Sequence, residues 1–291
     1  MAQRIKLIAN PIAGGDARGK IRRARRHLER RGCSVDVTLT AARGDATQAA
    51  ATARQGGFDR IVVAGGDGTL NEVINGLAPS SLPLGFLPLG TTNVFALEAG
   101  IPFAVEKACD IALDGVPTPV CLGVADGTRF LLMAGIGFDA EVVSRVSARL
   151  KRWSGKLAYV LSALFTLADR PGFPIEVEGE DGTLLEGHNV IIGNSRFYAG
   201  RFSITPDASI TEPLLDVCLF QKRGRWALVR CAARVLAGKR LTLPAARLFK
   251  ARRVTVRGAH VPVQVDGDTL GRLPMTFRVE PDALIFVLPR R

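Results

Sequence analysis

The chain has 291 residues, 47% hydrophobic and 23% charged, which is typical of a globular protein with two domains or one large one. Its net charge of +12 and sequence pI near 10.2 predict a surface that attracts anions such as nucleic acid, acidic lipid headgroups or phosphorylated metabolites. The longest apolar stretch, residues 157–168, is shorter than the roughly 20 residues that a membrane-spanning helix needs. Any membrane contact is therefore expected to be peripheral.

The number and spacing of the cysteines indicate whether the protein is located in a reducing or an oxidising compartment. The five cysteines are odd in number, widely spaced and form no CxxC pair, which excludes a locally encoded disulfide framework or zinc site. The N-terminal apolar run is too short to predict a signal peptide. We expect a reducing, cytoplasmic location with peripheral association at a membrane.

The first third of the chain alternates short apolar runs with helical patterns. Buried strands are predicted for four runs, at residues 4–10, 34–40, 58–65 and 82–90. Helices are predicted between them, at residues 16–31, 45–55 and 69–77. Asp45, followed by Gln48 three residues later, is typical of a helix cap. This alternation predicts right-handed crossovers and a parallel sheet.

From about residue 120 the pattern changes to short apolar runs separated by Asp-Gly dipeptides, which are typical of antiparallel hairpins. A β-sandwich or a related double sheet is predicted, interrupted by helical stretches at 141–168 and 224–238. We place the α/β domain at residues 1–118 and the β-rich domain at 119–281. Residues from about 282 to 291 are expected to pack back on the first domain.

One long stretch carries only positive charge. Between Asp216 and Asp266 there is no acidic residue, while twelve lysines or arginines occur. The stretch is either a solvated basic face or a surface that docks on anionic lipid or nucleic acid. Few aromatic residues are interleaved with these cations, which disfavours stacking on single-stranded bases.

Three glycine-containing loops each follow a predicted strand and precede a helix. They are NPIAGG at 10–15, GGDGT at 65–69 and LGTTN at 89–93. In a parallel sheet such loops converge at the carboxyl ends of the strands, where backbone N–H groups and helix N-termini face a common anion. A further match to the P-loop spacing, at residues 14–21, ends in Ile21 where a magnesium-binding hydroxyl should stand, so we reject it.

The GGDGT loop contains a carboxylate that needs an explanation. Thr69 and Glu72 form the pattern of a capping box, which alone would account for both residues. Asp67 has no such explanation, because a helix end that already has its cap needs no further carboxylate. We predict that Asp67 takes part in catalysis by holding a magnesium ion bound to polyphosphate.

A second acidic pair lies in VQVDGDTL, residues 263–270. An Asp-Gly dipeptide between two apolar runs is typical of a hairpin turn. If this turn faces the carboxyl edge of the sheet, Asp268 is a candidate general base for a hydroxyl that attacks phosphorus. Both interpretations stay open at the sequence level.

Taken together, these motifs resemble those of the diacylglycerol kinase catalytic-domain family, which includes bacterial soluble lipid kinases and the sphingosine and ceramide kinases. The resemblance rests on NPIAG, GGDGTLNEVINGL, LPLGTTNVFA, AGIGFDAEVV, the segment at 194–220 and VDGD, and it spans nearly the whole chain. It implies a Rossmann-like nucleotide-binding domain, as in NAD kinases and diacylglycerol kinases, followed by a β-sandwich domain that takes the lipid. The implied activity is ATP-dependent phosphorylation of a lipid hydroxyl.

The resemblance also implies the site residues. The family pattern places the following residues around ATP: Asn10, Pro11, Gly14, Thr40, Gly65, Gly66, Gly68, Thr69, Glu72, Thr91, Thr92 and Asn93. Magnesium would bind at Asp67 together with ATP, and Asp268, often a glutamate in the family, would accept the proton. A structural magnesium site of bacterial members corresponds to Ser209, Glu212 and Leu214. Glu212 and Pro213 replace the Asp-Gly of the family there, which weakens that site.

A soluble lipid kinase must dock on a bilayer. The acid-free stretch and residues 145–165 offer cations beside apolar surface for contact with anionic lipid, although 145–165 also fits a helix packed in the core. We expect no nucleic-acid partner, and a homodimer is left open.

Two other functions compete with the lipid kinase. Phosphorylation of a soluble substrate by an NAD-kinase-like enzyme is disfavoured by LPLGTTN and the motifs of the second domain. A non-catalytic protein that binds anions or lipid is disfavoured because Asp67, Glu72 and Asp268 are all present. No residue identifies the acceptor as diacylglycerol, a sphingoid base, ceramide or another lipid alcohol.

Overall fold

A computed structural model describes residues 2–145, 173–198, 200–241 and 246–290. The chain divides into two compact units, Met1–Leu122 with Pro281–Arg291, and Gly123–Glu280. The basic and apolar segment predicted at 145–165 lies almost wholly outside the described residues, as does most of the helix predicted at 141–168.

The elements of the first unit follow the predicted alternation. In chain order they are β1 (Arg4–Ala9), α1 (Ala17–Arg30), β2 (Ser34–Leu39), α2 (Asp45–Ala53), β3 (Arg60–Gly65), α3 (Asp67–Leu77), β4 (Leu84–Pro88), α4 (Val94–Ala99), α5 (Val105–Asp114) and the start of β5 (Val116–Ala125).

The second unit is mainly β-structure. Its elements, in chain order, are the end of β5, β6 (Thr128–Phe130), β7 (Met133–Ile136), α6 (Phe138–Arg145), β8 (Ile175–Gly179), β9 (Leu184–Gly187), β10 (Asn189–Gly193), β11 (Phe197–Tyr198), β12 (Phe202–Ser203), β13 (Leu215–Phe220), α7 (Arg225–Leu236), β14 (Ala246–Ala251), β15 (Arg253–Arg257), β16 (Pro262–Val265), β17 (Asp268–Arg272) and β18 (Met275–Leu288). The last strand begins in this unit and ends in the first one.

The sheet of the first unit is parallel, with the strand order β2, β1, β3, β4, followed by the C-terminal residues of β18. From β1 the chain goes first to a neighbour on one side and then to a neighbour on the other. The switch point of the sheet therefore lies between β1 and β3, and a doubly wound sheet binds ligands at the carboxyl end of such a point.

The observed burial of the strands agrees with the sequence prediction for the central strands and differs at the edge of the sheet. Strands β3 and β4 are buried along their whole length, as expected for central parallel strands that are covered on both faces. Residues 34–40 were also predicted to be a buried strand; the strand is confirmed, but its predicted burial is wrong. Strand β2 is half-buried or exposed because it lies at the edge of the sheet and has a single neighbour.

An aromatic cluster joins three elements of the first unit. The rings of Phe86 on β4 and Phe95 on α4 are 5.9 Å apart, and Phe95 is 4.7 Å from Phe286 on β18. All three side chains are fully buried. A helix was predicted to follow LGTTN, and α4 confirms it, whereas α5 was not predicted from the sequence. Helix α4 has only six residues, and Ala104 precedes α5 without a side-chain cap to signal its start.

Two larger antiparallel sets of strands lie in the second unit, as predicted, together with the two-stranded pair of β11 and β12. One has the order β14, β13, β10, β7, β16, β17. The other joins β9, β8 and β15 to residues 275–278 of β18. Two predicted Asp-Gly turns, Asp126–Gly127 and Asp266–Gly267, have positive φ at both residues, as two-residue hairpin loops of type I′ require.

Helix α7 confirms the helical stretch predicted at 224–238. In the part of the chain that the structure describes, no helix is both long and apolar enough to cross a lipid bilayer.

Candidate active site

The glycine loops of the first unit meet at the carboxyl edge of the parallel sheet. Just beyond β1, the N–H of Asn10 donates to the carbonyl of Ala64 on β3 (2.9 Å). Just beyond β4, the N–H of Leu89 donates to the carbonyl of Gly65 (2.8 Å). The three loops predicted to converge therefore leave the sheet side by side, at its switch point.

Glycine is required where these loops touch. Gly14 has φ of +72°, and a Cβ atom there would collide with the carbonyl oxygen of Leu89. A Cβ atom on Gly90 would lie 2.6 Å from the Cα atom of Gly66. The loops after β1, β3 and β4 thus approach one another backbone to backbone, which leaves their N–H groups close to any ligand bound at this edge.

Asn10 ties the first loop to the start of α3. Its Nδ2 group lies 3.3 Å from Thr69 Oγ1, and its Oδ1 atom accepts a hydrogen bond from the N–H of Ile12 (3.0 Å). Thr69 is buried in the first turn of α3, and Pro11 is half-buried in the same loop as Asn10. Three of the predicted ATP-binding residues are thereby brought together.

The loop after β4 is closed by Asn93. This residue has φ of +50°, is 1% exposed, and its amide accepts from the N–H of Gly90 (2.9 Å) and donates to the carbonyl of the same residue (2.8 Å). The side chain of Asn93 is therefore used within the loop. Thr91 is exposed and Thr92 half-buried at the tip, so their hydroxyls are the groups of this loop best placed to meet a ligand.

Asp67, the first residue of α3, binds the start of another helix. Its carboxylate accepts hydrogen bonds from the N–H groups of Val94 (2.9 Å) and Phe95 (3.1 Å), the first two residues of α4. Burial raises the pKa of Asp67, and these N–H donors oppose the rise. The sequence argument assumed that no helix end needed this carboxylate. That premise is wrong, because α4 uses it as a cap.

Glu72 also binds a helix that is distant in sequence. Its Oε2 atom accepts from the N–H groups of Gly44 (3.0 Å) and Ala46 (3.3 Å) at the start of α2. The alternative of a capping box formed with Thr69 is wrong, because α3 begins two residues earlier than predicted, at Asp67. Local spacing could not reveal this contact, since the partners lie 26 to 28 residues apart.

The loop before α2 is organised in a similar way. The N–H of Thr40 donates to the carbonyl of Ala9 (2.9 Å), which places this predicted ATP-binding residue at the same sheet edge. Asp45 was predicted to cap α2 with Gln48. Its carboxylate instead accepts from the N–H groups of Ala41 (2.7 Å) and Ala42 (2.8 Å).

The start of α3 has the properties of an anion site. Gly66 occupies the N-cap position and no side chain caps the helix, while Gly68 is exposed in the first turn. The first-turn N–H groups, which have no partner within the helix, and the positive end of the helix dipole favour a phosphate group at this position. The structure supports the rejection of the P-loop match at residues 14–21. Lys20 lies inside α1, and Asp16 caps the start of that helix.

Asp268 is the first residue of β17 and lies next to the two-residue hairpin turn. It is half-buried. The hairpin interpretation of VQVDGDTL is therefore confirmed. The role of Asp268 as a proton acceptor stays a prediction.

Two groups that the sequence analysis missed hold this turn. The carboxylate of Asp266 accepts from the N–H groups of Leu131, Leu132 and Met133, at 2.8, 2.9 and 3.0 Å. On the other side, the N–H of Gly267 donates to Gln264 Oε1 (2.8 Å). The turn is therefore fixed from both directions.

Gln264 continues into a buried polar network. Its Nε2 group donates to Asp139 Oδ2 (2.6 Å), and the hydroxyl of Tyr198 donates to Asp139 Oδ1. Burial raises the pKa of Asp139, and these two donors oppose the rise. The signals were a polar residue at a buried strand position in VQVDGDTL and an acid in the apolar segment AGIGFDAEVV.

The implied structural metal site does not fit a divalent cation. Ser209 Oγ lies 3.0 Å from Thr211 Oγ1, and Glu212 Oε2 lies 2.5 Å from the ammonium group of Lys250. Leu214 offers no charged ligand. Among the described residues, no group of three His, Cys, Asp or Glu side chains is arranged to bind a metal.

Comparison with known proteins assigns the chain to a family. Residues 4–125 match the diacylglycerol kinase catalytic domain, and residues 133–288 match the YegS C-terminal NAD kinase beta sandwich-like domain. The chain is 33% identical over 282 residues to the diacylglycerol kinase of Bacillus subtilis (strain 168), covering 94% of this chain and 93% of that protein. With the diacylglycerol kinase of Staphylococcus carnosus (strain TM300) it shares 29% identity over 283 residues, or 95% and 92% of the two chains.

A solved structure agrees with these relatives. A crystal structure of a diacylglycerol kinase from Bacillus anthracis str. Sterne matches with a TM-score of 0.81 at 26% identity, covering 98% of this chain and 97% of that chain. The chain belongs to the diacylglycerol kinase catalytic-domain family. The predicted resemblance is confirmed, as is the fold of a parallel α/β domain followed by a β-sandwich.

Proposed function

We propose that the protein is an ATP-dependent lipid kinase that transfers the γ-phosphoryl group to the hydroxyl of a lipid such as diacylglycerol, a sphingoid base or ceramide. The proposal rests on the uncapped start of α3, which lies at the switch point of the sheet between glycine loops in backbone contact. Such an edge binds phosphate through N–H groups and a helix dipole, without a P-loop lysine. The names of the relatives support a lipid as the acceptor.

The polyphosphate of ATP would lie against the loops after β1, β3 and β4. The N–H groups around Gly66 and Gly68 would face the phosphates, and Thr91 and Thr92 would donate from the loop tip. These groups are fixed before the nucleotide binds. Fixed dipoles of this kind stabilise the charge that develops during phosphoryl transfer without a reorganisation cost.

Magnesium would enter with ATP and neutralise charge on the transferred phosphoryl group. Asp67 fits a role beside it, since its carboxylate, which accepts backbone N–H groups from α4, has about four lone-pair sites in all. The N–H groups of α4 hold this carboxylate in one position, which is what an ordered metal–phosphate contact requires.

Asp268 would act on the lipid. In the proposed step, the lipid hydroxyl oxygen forms a bond to the γ-phosphorus while the bond between that phosphorus and the β–γ bridging oxygen breaks. ADP leaves, and the hydroxyl proton passes to the carboxylate of Asp268. The turn that carries Asp268 is held by Asp266 and Gln264, so the carboxylate is presented from a fixed backbone.

We further propose that α7 docks the protein on anionic membrane. Trp226 is 73% exposed and Val229, one turn later on the same face, is 38% exposed. Arg230 and Arg234 are exposed on the same helix, which lies in the acid-free stretch. An exposed aromatic ring beside cations is the arrangement that interfacial helices present to anionic lipid.

The activity can be tested by presenting labelled ATP and magnesium with a total lipid extract in mixed micelles. The wild-type chain is expected to label a lipid, whose mobility identifies the acceptor. Asp268→Asn is expected to lower kcat by at least about 100-fold, the usual contribution of a positioned acid or base, with little change in the KM for ATP.

Asp181→Asn is a matched control, because Asp181 also lies in an Asp-Gly turn of the second unit but outside the proposed site. Its activity is expected to equal that of the wild type. Labelling of a soluble acceptor in place of lipid would favour the NAD-kinase-like alternative. Binding of ATP with no transfer to any acceptor would favour a non-catalytic protein.

A further inference from the structure

The family resemblance implies a structural magnesium site in the second unit. In this chain the acidic side chains at that position contact the ammonium group of Lys250. Lys250, near the end of β14, lies opposite Asp216 of β13 in the antiparallel register. Its Nζ atom is 2.5 Å from Glu212 Oε2 and 3.1 Å from Asp216 Oδ2. It also donates to the backbone carbonyl of Asp207 (3.0 Å).

These contacts are what a divalent cation would make, namely carboxylate and carbonyl oxygens gathered from separate parts of the chain. Asp216 is buried, and its Oδ2 atom contacts Lys250 at ion-pair distance without the alignment of a hydrogen bond. An uncompensated carboxylate at such a position would be costly, so the ammonium group supplies the charge that the fold requires.

The carboxylates beside Lys250 are already paired with basic side chains. The carboxylate of Asp207 is held by Arg240, at 2.9 and 2.5 Å. The carbonyl of Ser209 accepts from the N–H of Glu212 (3.0 Å), which closes a tight turn between them. Glu212 is therefore the single carboxylate among the implied metal ligands, and it is already paired.

We infer that Lys250 replaces the structural divalent cation in this chain. The segment from Asp207 to Asp216 is closed by a covalently attached ammonium group, so the stability of the second unit does not depend on magnesium. This inference is independent of the proposed kinase activity, because it concerns the fold in the absence of nucleotide and substrate.

The test is the thermal unfolding of the full chain without nucleotide, in EDTA and in magnesium chloride. The wild-type Tm is expected to be the same in both. Lys250→Met is expected to lower the Tm in EDTA by about 5 °C, because it leaves two acids unpaired. Magnesium is expected to recover part of that loss. Lys250→Arg keeps the charge, and its Tm is expected to stay independent of magnesium.

Arg247→Met is the matched control, because Arg247 is exposed on the same strand. Its Tm is expected to equal that of the wild type in both conditions. Titration with manganese chloride gives a second readout that does not depend on the stability of the Lys250 variants. The wild-type chain and Glu212→Gln are expected to bind manganese equally, because Glu212 holds no metal ion in the wild type. The inference is overturned if EDTA lowers the wild-type Tm, or if wild type binds a manganese ion that Glu212→Gln abolishes.

Discussion

Asp67 and Glu72 lie five residues apart on α3, about 1.4 helical turns, and each holds the first turn of another helix. Asp67 accepts from the start of α4 and Glu72 from the start of α2. Asp67 and Glu72 therefore fix the positions of the loops before α4 and α2 at the carboxyl edge of the sheet. If the proposed activity falls when either acid is replaced, the cause is a disturbed loop framework or the loss of a direct contact with ATP, and these two causes can be separated.

Variants of Glu72 can separate these two sources. One oxygen, Oε2, accepts both N–H groups, so the neutral amide of Glu72→Gln keeps an acceptor while Glu72→Ala removes it. We expect Glu72→Ala to lower the free energy of unfolding by about 1 kcal/mol, the usual value of a helix cap, and Glu72→Gln to recover most of it. Urea unfolding measures the effect.

The KM for ATP of the same two variants gives the functional half of the comparison. A framework role predicts that Glu72→Gln keeps the wild-type KM. If Glu72→Gln binds ATP as weakly as Glu72→Ala does while remaining stable, the charge of Glu72 acts on the nucleotide directly.

At the scale of elements, an ion-pair network joins α1 to α5. His27 Nε2 lies 2.7 Å from Asp110 Oδ1, and the guanidinium group of Arg31 bridges Asp110 (2.5 Å) and Asp114 (2.6 Å). The His27 imidazole and the Arg31 guanidinium hold the pKa of Asp110 below its ordinary value. This network supplements the apolar contacts of the buried face of α1.

The lowered pKa of Asp110 fixes the sign of a pH effect. The stabilising contribution is present above the ordinary pKa of about 4 and is lost as pH falls through the lower value of the folded state. Asp110→Asn is expected to reduce the free energy of unfolding by about 0.5 kcal/mol at pH 7, the size of an exposed pair. This deficit is expected to shrink on acidification below pH ~4. Urea unfolding at neutral and acidic pH checks it, and an undiminished deficit in acid would contradict the assignment.

The elements differ in how far the sequence predicts them. Strands β3 and β4 could be predicted because strands buried on both faces have continuous apolar sequences. The Asp-Gly turns could be predicted because two consecutive residues with positive φ are typically Asp or Asn followed by Gly. The exposure of the edge strand β2 and the caps from Asp67 and Glu72 depend on neighbours far away in sequence, although the strand itself was predicted. For the same reason, the network around Asp139 could not be derived from local spacing.

For the molecule as a whole, the net charge of +12 is unevenly distributed along the sequence. Twelve of the cations fall in the acid-free stretch, which also contains the exposed ring of Trp226. Counter-ions and anionic surfaces are attracted to such a stretch over about a Debye length of 8 Å at physiological salt. In the docking proposed for α7, electrostatic attraction would therefore precede the insertion of Trp226 into the bilayer.

Docking can be measured by co-sedimentation with vesicles. The chain is expected to bind phosphatidylglycerol vesicles and to bind neutral phosphatidylcholine vesicles far less. Trp226→Ala is expected to weaken binding about tenfold, the factor given by roughly 1.4 kcal/mol of lost apolar burial. Phe103→Ala is the control, since Phe103 is 52% exposed outside the acid-free stretch. Equal losses in the two variants would remove α7 as the docking element.

The discontinuity of the first unit has a consequence for biosynthesis. Its first 122 residues leave the ribosome early, but the strand that follows β4 in its sheet comes from residues 281–288. Phe286, which completes the aromatic cluster, arrives with that strand. Folding of the nascent first unit therefore cannot be completed until the whole second unit has been translated. Until then its sheet has an open edge and its core lacks Phe286. An open strand edge is prone to aggregation, so this interval is the stage of synthesis at which a chaperone would matter most.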